Sequence, residues 1–137
     1  MLVEVVFRDI TAYKRRLIMK VKRIIANLDT PELTAAKRFY QEALGLDLLM
    51  DHGWIATYGN RETMNVQISV ASEGGSGTPT PALSIEVDDL DEALARMEKA
   101  GFPAEYGPVD EPWGVRRFFV RDPLGKLVNI LSHGQED

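Results

Sequence analysis

Polar side chains alternate with apolar ones along two segments of this sequence, residues 63–71 and 82–88. The polar members are Asn65, Gln67 and Ser69 in the first segment and Ser84 and Glu86 in the second. Successive side chains of a strand point to opposite faces, so each segment would cover a core on one face and present amides, hydroxyls or a carboxylate on the other. Such groups donate and accept hydrogen bonds, which is the chemistry expected at water or at a cavity.

Residues for several other kinds of chemistry are absent. The chain has no cysteine, which excludes disulfides, thiolate zinc sites and a cysteine nucleophile. His52 and His133 are far apart and show no ligand-like spacing, so we expect both to be solvated. The glycine-rich stretch 74–77 lacks the lysine and the strand–helix context of a phosphate-binding loop, and no nucleophile elbow or dinucleotide fingerprint occurs. We therefore predict no catalytic residue.

Length and charge limit the class of protein. A chain of 137 residues fits one domain with its own core. A formal net charge of −5 argues against nucleic acid as a partner and would attract a cationic small molecule instead. No apolar run approaches the ~20 residues of a membrane helix, and the lack of cysteine fits a reducing cytoplasm. We expect a cytoplasmic protein that binds neither nucleic acid nor membrane.

Two similar halves position the polar segments, and each half reads as strand–helix–strand–strand–strand. In the first helix Thr30 is the expected N-cap, Pro31 the first residue and Gly45 the stop. In the second helix Asp89 is the expected cap, with a glutamate three residues later, and Gly101 is the stop. The predicted strands are 21–28, 46–50, 54–59 and 63–71 in the first half and 82–88, 102–107, 115–121 and 126–132 in the second.

The connection between the halves, 72–81, is rich in glycine, serine and proline, a composition that predicts a flexible linker. The domain would span 19–137, with modules of about 21–71 and 82–133. A duplicated unit of this kind makes a paired, curved sheet with a cavity. An unduplicated α+β sandwich is the alternative.

Residues 1–18 fall outside this repeat. They carry more basic than acidic side chains, and their apolar run is too short and too interrupted by charge for a signal peptide. We interpret them as an N-terminal extension of a domain that begins at Met19. An additional edge strand at 2–7 is the alternative.

The most specific motif lies near the end of the second half. It reads Pro112-Trp113-Gly114, followed by Arg117-Phe118-Phe119-Val120-Arg121-Asp122-Pro123-Leu124-Gly125. With Arg38-Phe39-Tyr40 in the first helix, this motif resembles the vicinal oxygen chelate superfamily, which includes glyoxalase I, extradiol dioxygenases, fosfomycin resistance proteins and bleomycin-binding resistance proteins. It looks most like the bleomycin-resistance branch. The resemblance covers about residues 20–133 and implies an α+β fold, with two tandem βαβββ modules forming a curved mixed sheet and helices outside.

The resemblance also implies where a metal would bind. Enzymes of the family hold a divalent metal through His, Glu or Gln on the first, fourth, fifth and last strands. Aligned by motif, these positions are Ile25, Gln67, Ala82 and Asn129. Two hydrocarbon side chains and two neutral amides offer too few donors for zinc or iron. We predict no metal and no cofactor. The alternative, a metal-dependent lyase or dioxygenase of the superfamily, requires that this alignment is wrong.

If the sheet curves as in the family, polar strand faces and aromatic rings line its cavity. Trp54 and Tyr58 would share one strand face, and Trp113 would close the mouth. Flat rings with a few polar groups suit an aromatic or amphipathic ligand, and Glu86 suits a cationic one. The predicted ligand-binding residues are Trp54, Tyr58, Asn65, Gln67, Ser84, Glu86, Trp113 and Asn129.

These residues also have purely structural interpretations. The tryptophans would pack in the core or at a dimer interface. Gln67 and Asn129 would bond to each other or to a buried water, and Glu86 would pair with Arg117 across the sheet.

The sequence favours a metal-independent protein that sequesters a small molecule, such as a cationic or aromatic antibiotic of the bleomycin type. Antibiotic resistance would then follow from mass action. The resemblance further implies a homodimer with the cavity shared between chains. An accessory module whose aromatic residues serve a protein interface is a further alternative.

Overall fold

The computed structural model describes residues 19–62 and 67–134, so the proposed extension 1–18 and the predicted ligand-binding residue Asn65 lie outside the described residues. The strands of the described part are β1 (Val21–Asp29), β2 (Asp47–Asp51), β3 (Ile55–Gly59), β4 (Gln67–Ala71), β5 (Leu83–Val87), β6 (Tyr106–Asp110), β7 (Val115–Arg121) and β8 (Leu127–His133). The helices are α1, in which an α-helical turn (Leu33–Ala36) continues as a π-helix (Lys37–Ala43), and α2 (Leu90–Ala100). None of these helices is long and apolar enough to span a membrane.

The strands form one mixed sheet in the order β2-β3-β4-β1-β5-β8-β7-β6. Within each half the first strand pairs in parallel with the last, as β1 does with β4 and β5 with β8. The two halves meet where β1 and β5 pair antiparallel. The predicted fold, two tandem βαβββ modules in a curved sheet with helices outside, is therefore confirmed.

Each half buries the apolar face of its strands under its own helix. Below α1 the core contains Tyr58 and Val70, and below α2 it contains Phe118 and Ile130. The alternation predicted for the fourth and fifth strands holds in the described part, because Ile68, Leu83, Ile85 and Val87 pack into these cores. Their polar neighbours point to the opposite side of the sheet.

Apart from shifts of a single residue, two elements of the described part begin later than predicted. The first helix begins at Leu33 because the Thr30 hydroxyl accepts a hydrogen bond from the Glu32 N–H at 3.0 Å, which forms a turn ahead of the helix. Strand β6 begins at Tyr106 rather than near 102, since the Phe102 N–H still bonds to the Met97 carbonyl at the end of α2. The second helix starts as predicted, with the Glu92 N–H donating to the Asp89 carboxylate at 3.0 Å.

The connection 72–81 is an ordered turn, so the prediction of a flexible linker is wrong. Gly74, Gly75 and Thr78 are buried. The Gly74 N–H donates to the Thr78 carbonyl at 2.7 Å, and the Thr78 N–H and hydroxyl both donate to the Gly75 carbonyl, at 3.0 and 2.7 Å. The glycines are present here because the turn needs their conformational freedom and small size. Composition alone cannot distinguish glycines of a tight turn from glycines of a mobile linker.

Arg117 fastens this turn to the second module. Its guanidinium donates to the carbonyls of Gly74 and Gly75 at 2.7 and 3.2 Å and pairs with Glu111, with the closest nitrogen and oxygen 2.6 Å apart. The side chains of Arg117 and Glu111 are only 3% and 4% exposed. The rings of Tyr106, Trp113 and Phe119 lie 4.8–5.4 Å from the guanidinium carbon. The predicted pairing of Arg117 with Glu86 is therefore wrong.

The ion pair predicts a dependence of stability on pH. Burial alone would raise the pKa of Glu111, but hydrogen bonds from Tyr106, Ser76 and Arg117, together with the charge of Arg117, outweigh burial and lower it. A lowered folded-state pKa means that the stabilisation is complete above the ordinary carboxyl pKa of about 4.3 and is lost as pH falls through the folded-state value.

We expect Glu111→Gln to lower the free energy of unfolding by about 3–5 kcal/mol at neutral pH, because it leaves Arg117 buried without a counter-charge. Lowering the pH should then reduce the free energy of unfolding of the variant by less than it reduces that of the wild type. Denaturant unfolding at neutral and acidic pH measures both effects. Glu105→Gln is the control, because Glu105 pairs with Arg121 at the exposed surface at 3.0 Å, where solvent screens the interaction. Equal losses in the two variants would contradict the assigned role of Glu111.

Candidate functional site

A cavity of about 340 Å³ lies on the side of the sheet opposite the helices, and both modules of the chain line it. One group of lining residues, the floor, comprises Ile25, Asn27, Gln67, Ser84 and Asn129. A second group, the ionic end, comprises Arg23, Glu86 and His133. A third group, the aromatic wall, comprises His52, Trp54 and Trp113. Further apolar lining comes from Leu49, Met50, Ile55, Val115 and Leu131.

The floor contains a row of residues on four adjacent central strands. Ser84 is the register partner of Ile25 on one side and of Asn129 on the other. Continuing the β1–β4 register by one residue places Gln67 beside Ile25. Ala82, predicted for the fifth-strand position of this row, precedes β5 and is not among the lining residues. The predicted fifth-strand position is therefore wrong by two residues, because Ser84 occupies the place in the row that was assigned to Ala82.

Hydrogen bonds fix two amide side chains of the floor, those of Asn27 and Asn129, around the hydroxyl of Ser84. The Ser84 oxygen accepts from the side-chain N–H groups of Asn27 and Asn129, at 2.9 and 3.1 Å. Asn129 is 8% exposed, and its Oδ1 has no hydrogen-bond partner among the described residues. Gln67 accepts from Arg23 at 3.3 Å, so the predicted bond between Gln67 and Asn129 is replaced by separate partners.

At the ionic end, Glu86 is held from two sides. Its carboxylate accepts from the Arg23 Nε at 2.5 Å and lies 2.5 Å from His133 Nδ1, with the Lys22 ammonium 3.9 Å away. Burial alone would raise the pKa of Glu86, but the hydrogen bonds and charges of His133 and Arg23 outweigh burial and lower it. His133 is therefore bound to Glu86 rather than simply solvated as predicted.

The aromatic wall is formed by the two tryptophans of the chain. Trp54, before β3, and Trp113, before β7, meet edge to face with ring centroids 5.1 Å apart, and His52 stacks on Trp54 at 6.1 Å. Gly75 of the connection lies directly against both indoles. A Cβ at this position would lie 2.7 Å from Trp113 and 2.8 Å from Trp54.

The structure brings most of the predicted ligand-binding residues to one cavity, and these are Trp54, Gln67, Ser84, Glu86, Trp113 and Asn129. Their contact with a ligand stays a prediction. Tyr58 is a correction: it does not share a cavity-facing side with Trp54, because it is buried in the core and stacks on Tyr40 at 5.9 Å. Trp54 precedes the strand and so does not follow its alternation. Burial and, to a smaller degree, the charge of Asp51 raise the pKa of Tyr58.

Sequence reasoning missed Arg23, Asn27 and His133 as lining residues. A signal was available for each. Arg23 and Asn27 are polar residues four positions apart in the first strand, so period-two alternation places both on the same face as Ile25 between them. His133 follows Asn129 by four positions in β8, so period-two alternation places it on the cavity side.

The residues present do not fit the divalent metal that the fold implies. Ile25 offers no donor, and the Ser84 oxygen already accepts two N–H groups. Neutral amides from Gln67 and Asn129 are weak ligands. Among the described residues no three His, Cys, Asp or Glu side chains are grouped so as to hold a metal ion.

The sequence profile of the Glyoxalase/Bleomycin resistance protein/Dioxygenase superfamily matches residues 25–130, and the chain belongs to this superfamily. The superfamily predicted from the motif is thus confirmed. No curated protein shows a significant sequence match.

Solved structures share the fold at low sequence identity. A Legionella pneumophila protein described as an NAD-dependent benzaldehyde dehydrogenase has a TM-score of 0.64 at 14% identity, covering 80% of this chain and 98% of its own. A hypothetical protein from Bacillus halodurans has a TM-score of 0.61 at 16% identity, with coverages of 87% and 97%. The methylmalonyl-CoA epimerase of Mycobacterium tuberculosis has a TM-score of 0.57 at 16% identity, with coverages of 84% and 88%. At these identities the likeness establishes the fold alone.

Gly75 and Gly77 give a matched test of the aromatic wall. Both have positive φ, of +87° and +75°, so alanine at either position costs about 1–2 kcal/mol of backbone strain. Only at Gly75 would the new methyl meet the indoles, because no atom lies within 4 Å at Gly77. We expect Gly75→Ala to destabilise by about 1–3 kcal/mol more than Gly77→Ala and to alter tryptophan emission. Denaturant unfolding followed by fluorescence measures both. Equal effects would show that the turn does not press on the tryptophans.

Proposed function

We propose that this protein binds a compact, planar aromatic small molecule without a metal, and that it acts by sequestering that molecule. The observation that carries the proposal is the pair of tryptophans standing over a floor of amides and a hydroxyl. Indoles supply flat stacking surface, and a few fixed polar groups orient a ligand. The volume of about 340 Å³ lies at the small end of the roughly 300–1,000 Å³ of pockets for drug-sized molecules.

The charges around the cavity favour a neutral ligand over a cationic one. Glu86 was the residue expected to attract a cation, but Arg23 and His133 already bind its carboxylate. A bleomycin-type glycopeptide remains within the proposal, and the cavity volume suits one of its ring systems rather than the whole molecule. Resistance by mass action would follow if such an antibiotic binds tightly enough.

Thermal-shift titration of metal-stripped protein tests this proposal. The protein is titrated separately with flat bicyclic aromatics, with bleomycin and with divalent metals. We expect stabilisation by aromatics that grows with the logarithm of their concentration. Trp54→Ala should weaken binding by about 1–3 kcal/mol, and Trp54→Phe should restore most of it. Trp54 is the cleaner probe because Trp113 also supports Arg117.

Three results would count against the proposal. Stabilisation by a metal alone would favour a metal-dependent enzyme of the superfamily. No stabilisation by any aromatic would favour an accessory module. Unchanged affinity in folded Trp54→Ala would assign that ring to structure.

We also propose a homodimer, supported by apolar side chains exposed on the helix side of the sheet. Ile24 on β1 is 58% exposed, and Phe39 on α1 is 60% exposed. Exposed apolar groups of this kind mark contact surfaces when they cluster. The cavity shared between chains, which the sequence predicted, stays a separate prediction. A dimer formed through the helix side would leave each cavity within its own chain.

We expect Ile24→Asp to shift the protein from dimer to monomer without unfolding it, as measured by sedimentation at several concentrations. Leu124→Asp is the control, because Leu124 is 81% exposed in the turn between β7 and β8. A wild-type protein that stays monomeric at all concentrations would contradict the proposal.

A further inference from the structure

We infer that the floor of the cavity recognises a lactam, that is, a cyclic amide whose N–H and C=O are adjacent. This inference rests on the proposed function and specifies its ligand class. It follows from the hydrogen-bonding capacity that Ser84 and Asn129 retain after their mutual contact.

The Ser84 hydroxyl is left as a donor. A serine oxygen has two lone pairs and one proton. Both lone pairs are used, since Asn27 and Asn129 each donate an amide N–H to this oxygen. No described residue accepts a hydrogen bond from the Ser84 proton, and Ser84 lines the cavity. The proton is therefore available to an acceptor on a bound molecule.

The Asn129 carbonyl is left as an acceptor. One N–H of its amide donates to Ser84, while Oδ1 is buried and has no partner among the described residues. A buried acceptor without a partner has lost its hydrogen bonds to water without replacement, and a ligand N–H would restore one. Asn129 also lines the cavity, so a ligand on the floor would lie against this side chain.

The two groups are neighbours in space. Ser84 and Asn129 are register partners on β5 and β8, and the Asn129 nitrogen is 3.1 Å from the Ser84 oxygen. A donor next to an acceptor is complementary to a ligand edge that carries an acceptor next to a donor. A planar bicyclic lactam provides this edge and a ring face for the tryptophans.

A pair of ligands of the same shape tests the inference. 2-Quinolinone carries the lactam edge, and naphthalene has the same fused rings without hydrogen-bonding groups. We expect Asn129→Leu and Ser84→Ala each to weaken binding of 2-quinolinone about tenfold while changing naphthalene binding by less than about twofold. Affinities are measured by quenching of tryptophan emission. Ser132→Ala on β8 is the control, because Ser132 is not among the lining residues and should alter neither affinity.

The outcomes separate this inference from the proposed function. If the two variants change the affinities for both ligands equally, or change neither, lactam recognition is overturned. Binding of naphthalene by the wild type would still support an aromatic site. Failure of both ligands to bind the wild type would overturn both statements. If Asn129→Leu does not fold, Ser84→Ala decides, because it removes one oxygen and leaves the strand pairing intact.

Discussion

The guanidinium of Arg117 is the contact on which the cavity wall depends. It is buried, and it reaches Glu111 on one side and the carbonyls of Gly74 and Gly75 on the other. Burying two charges costs several kcal/mol per ion, and mutual attraction offsets this cost only when the remaining hydrogen bonds are also made. Here they are made, since Tyr106 and Ser76 donate to Glu111 at 2.9 Å each. The pair therefore contributes a defined geometry more than net stability.

That geometry holds the connection between the modules against the tryptophans. Gly75 fits between the two indoles because it has no side chain, and the carbonyls that Arg117 binds keep it there. Trp113 is fixed from the other side by the guanidinium, 4.9 Å from its ring. The aromatic wall is thus held in one arrangement by its neighbours. A ligand bound there would not have to order these rings, so less conformational entropy would be lost.

The sequence predicted the modules and the polar lining residues Gln67, Ser84 and Glu86 because strand alternation is a local property that one segment displays by itself. Several of its failures concern contacts between distant segments. Arg117 and Glu86 were expected to pair, yet each found another partner, because the register of β7 against β8 and the path of the connection decide which charges meet. The connection looked flexible because glycine content reports permitted backbone conformations and not the atoms packed around them. Tyr58 was misplaced because Trp54 lies outside the regular strand, where period two no longer applies.

The side chains of the floor are better suited to hydrogen bonds with a neutral ligand than to holding a divalent cation. The row from Gln67 to Asn129 contains amides, a hydroxyl and a hydrocarbon, which bind neutral polar groups and hold divalent cations poorly. The ionised groups nearby are bound to one another, as Glu86 is to Arg23 and Glu111 to Arg117. Among the described floor residues, the buried Asn129 carbonyl and the Ser84 hydroxyl proton have no partner, and one amide N–H of Asn27 and one of Asn129 are also left over, so the groups that remain are neutral. A neutral, planar molecule with its own donor and acceptor would bind there without displacing an ion pair, whereas a charged ligand would first have to break one.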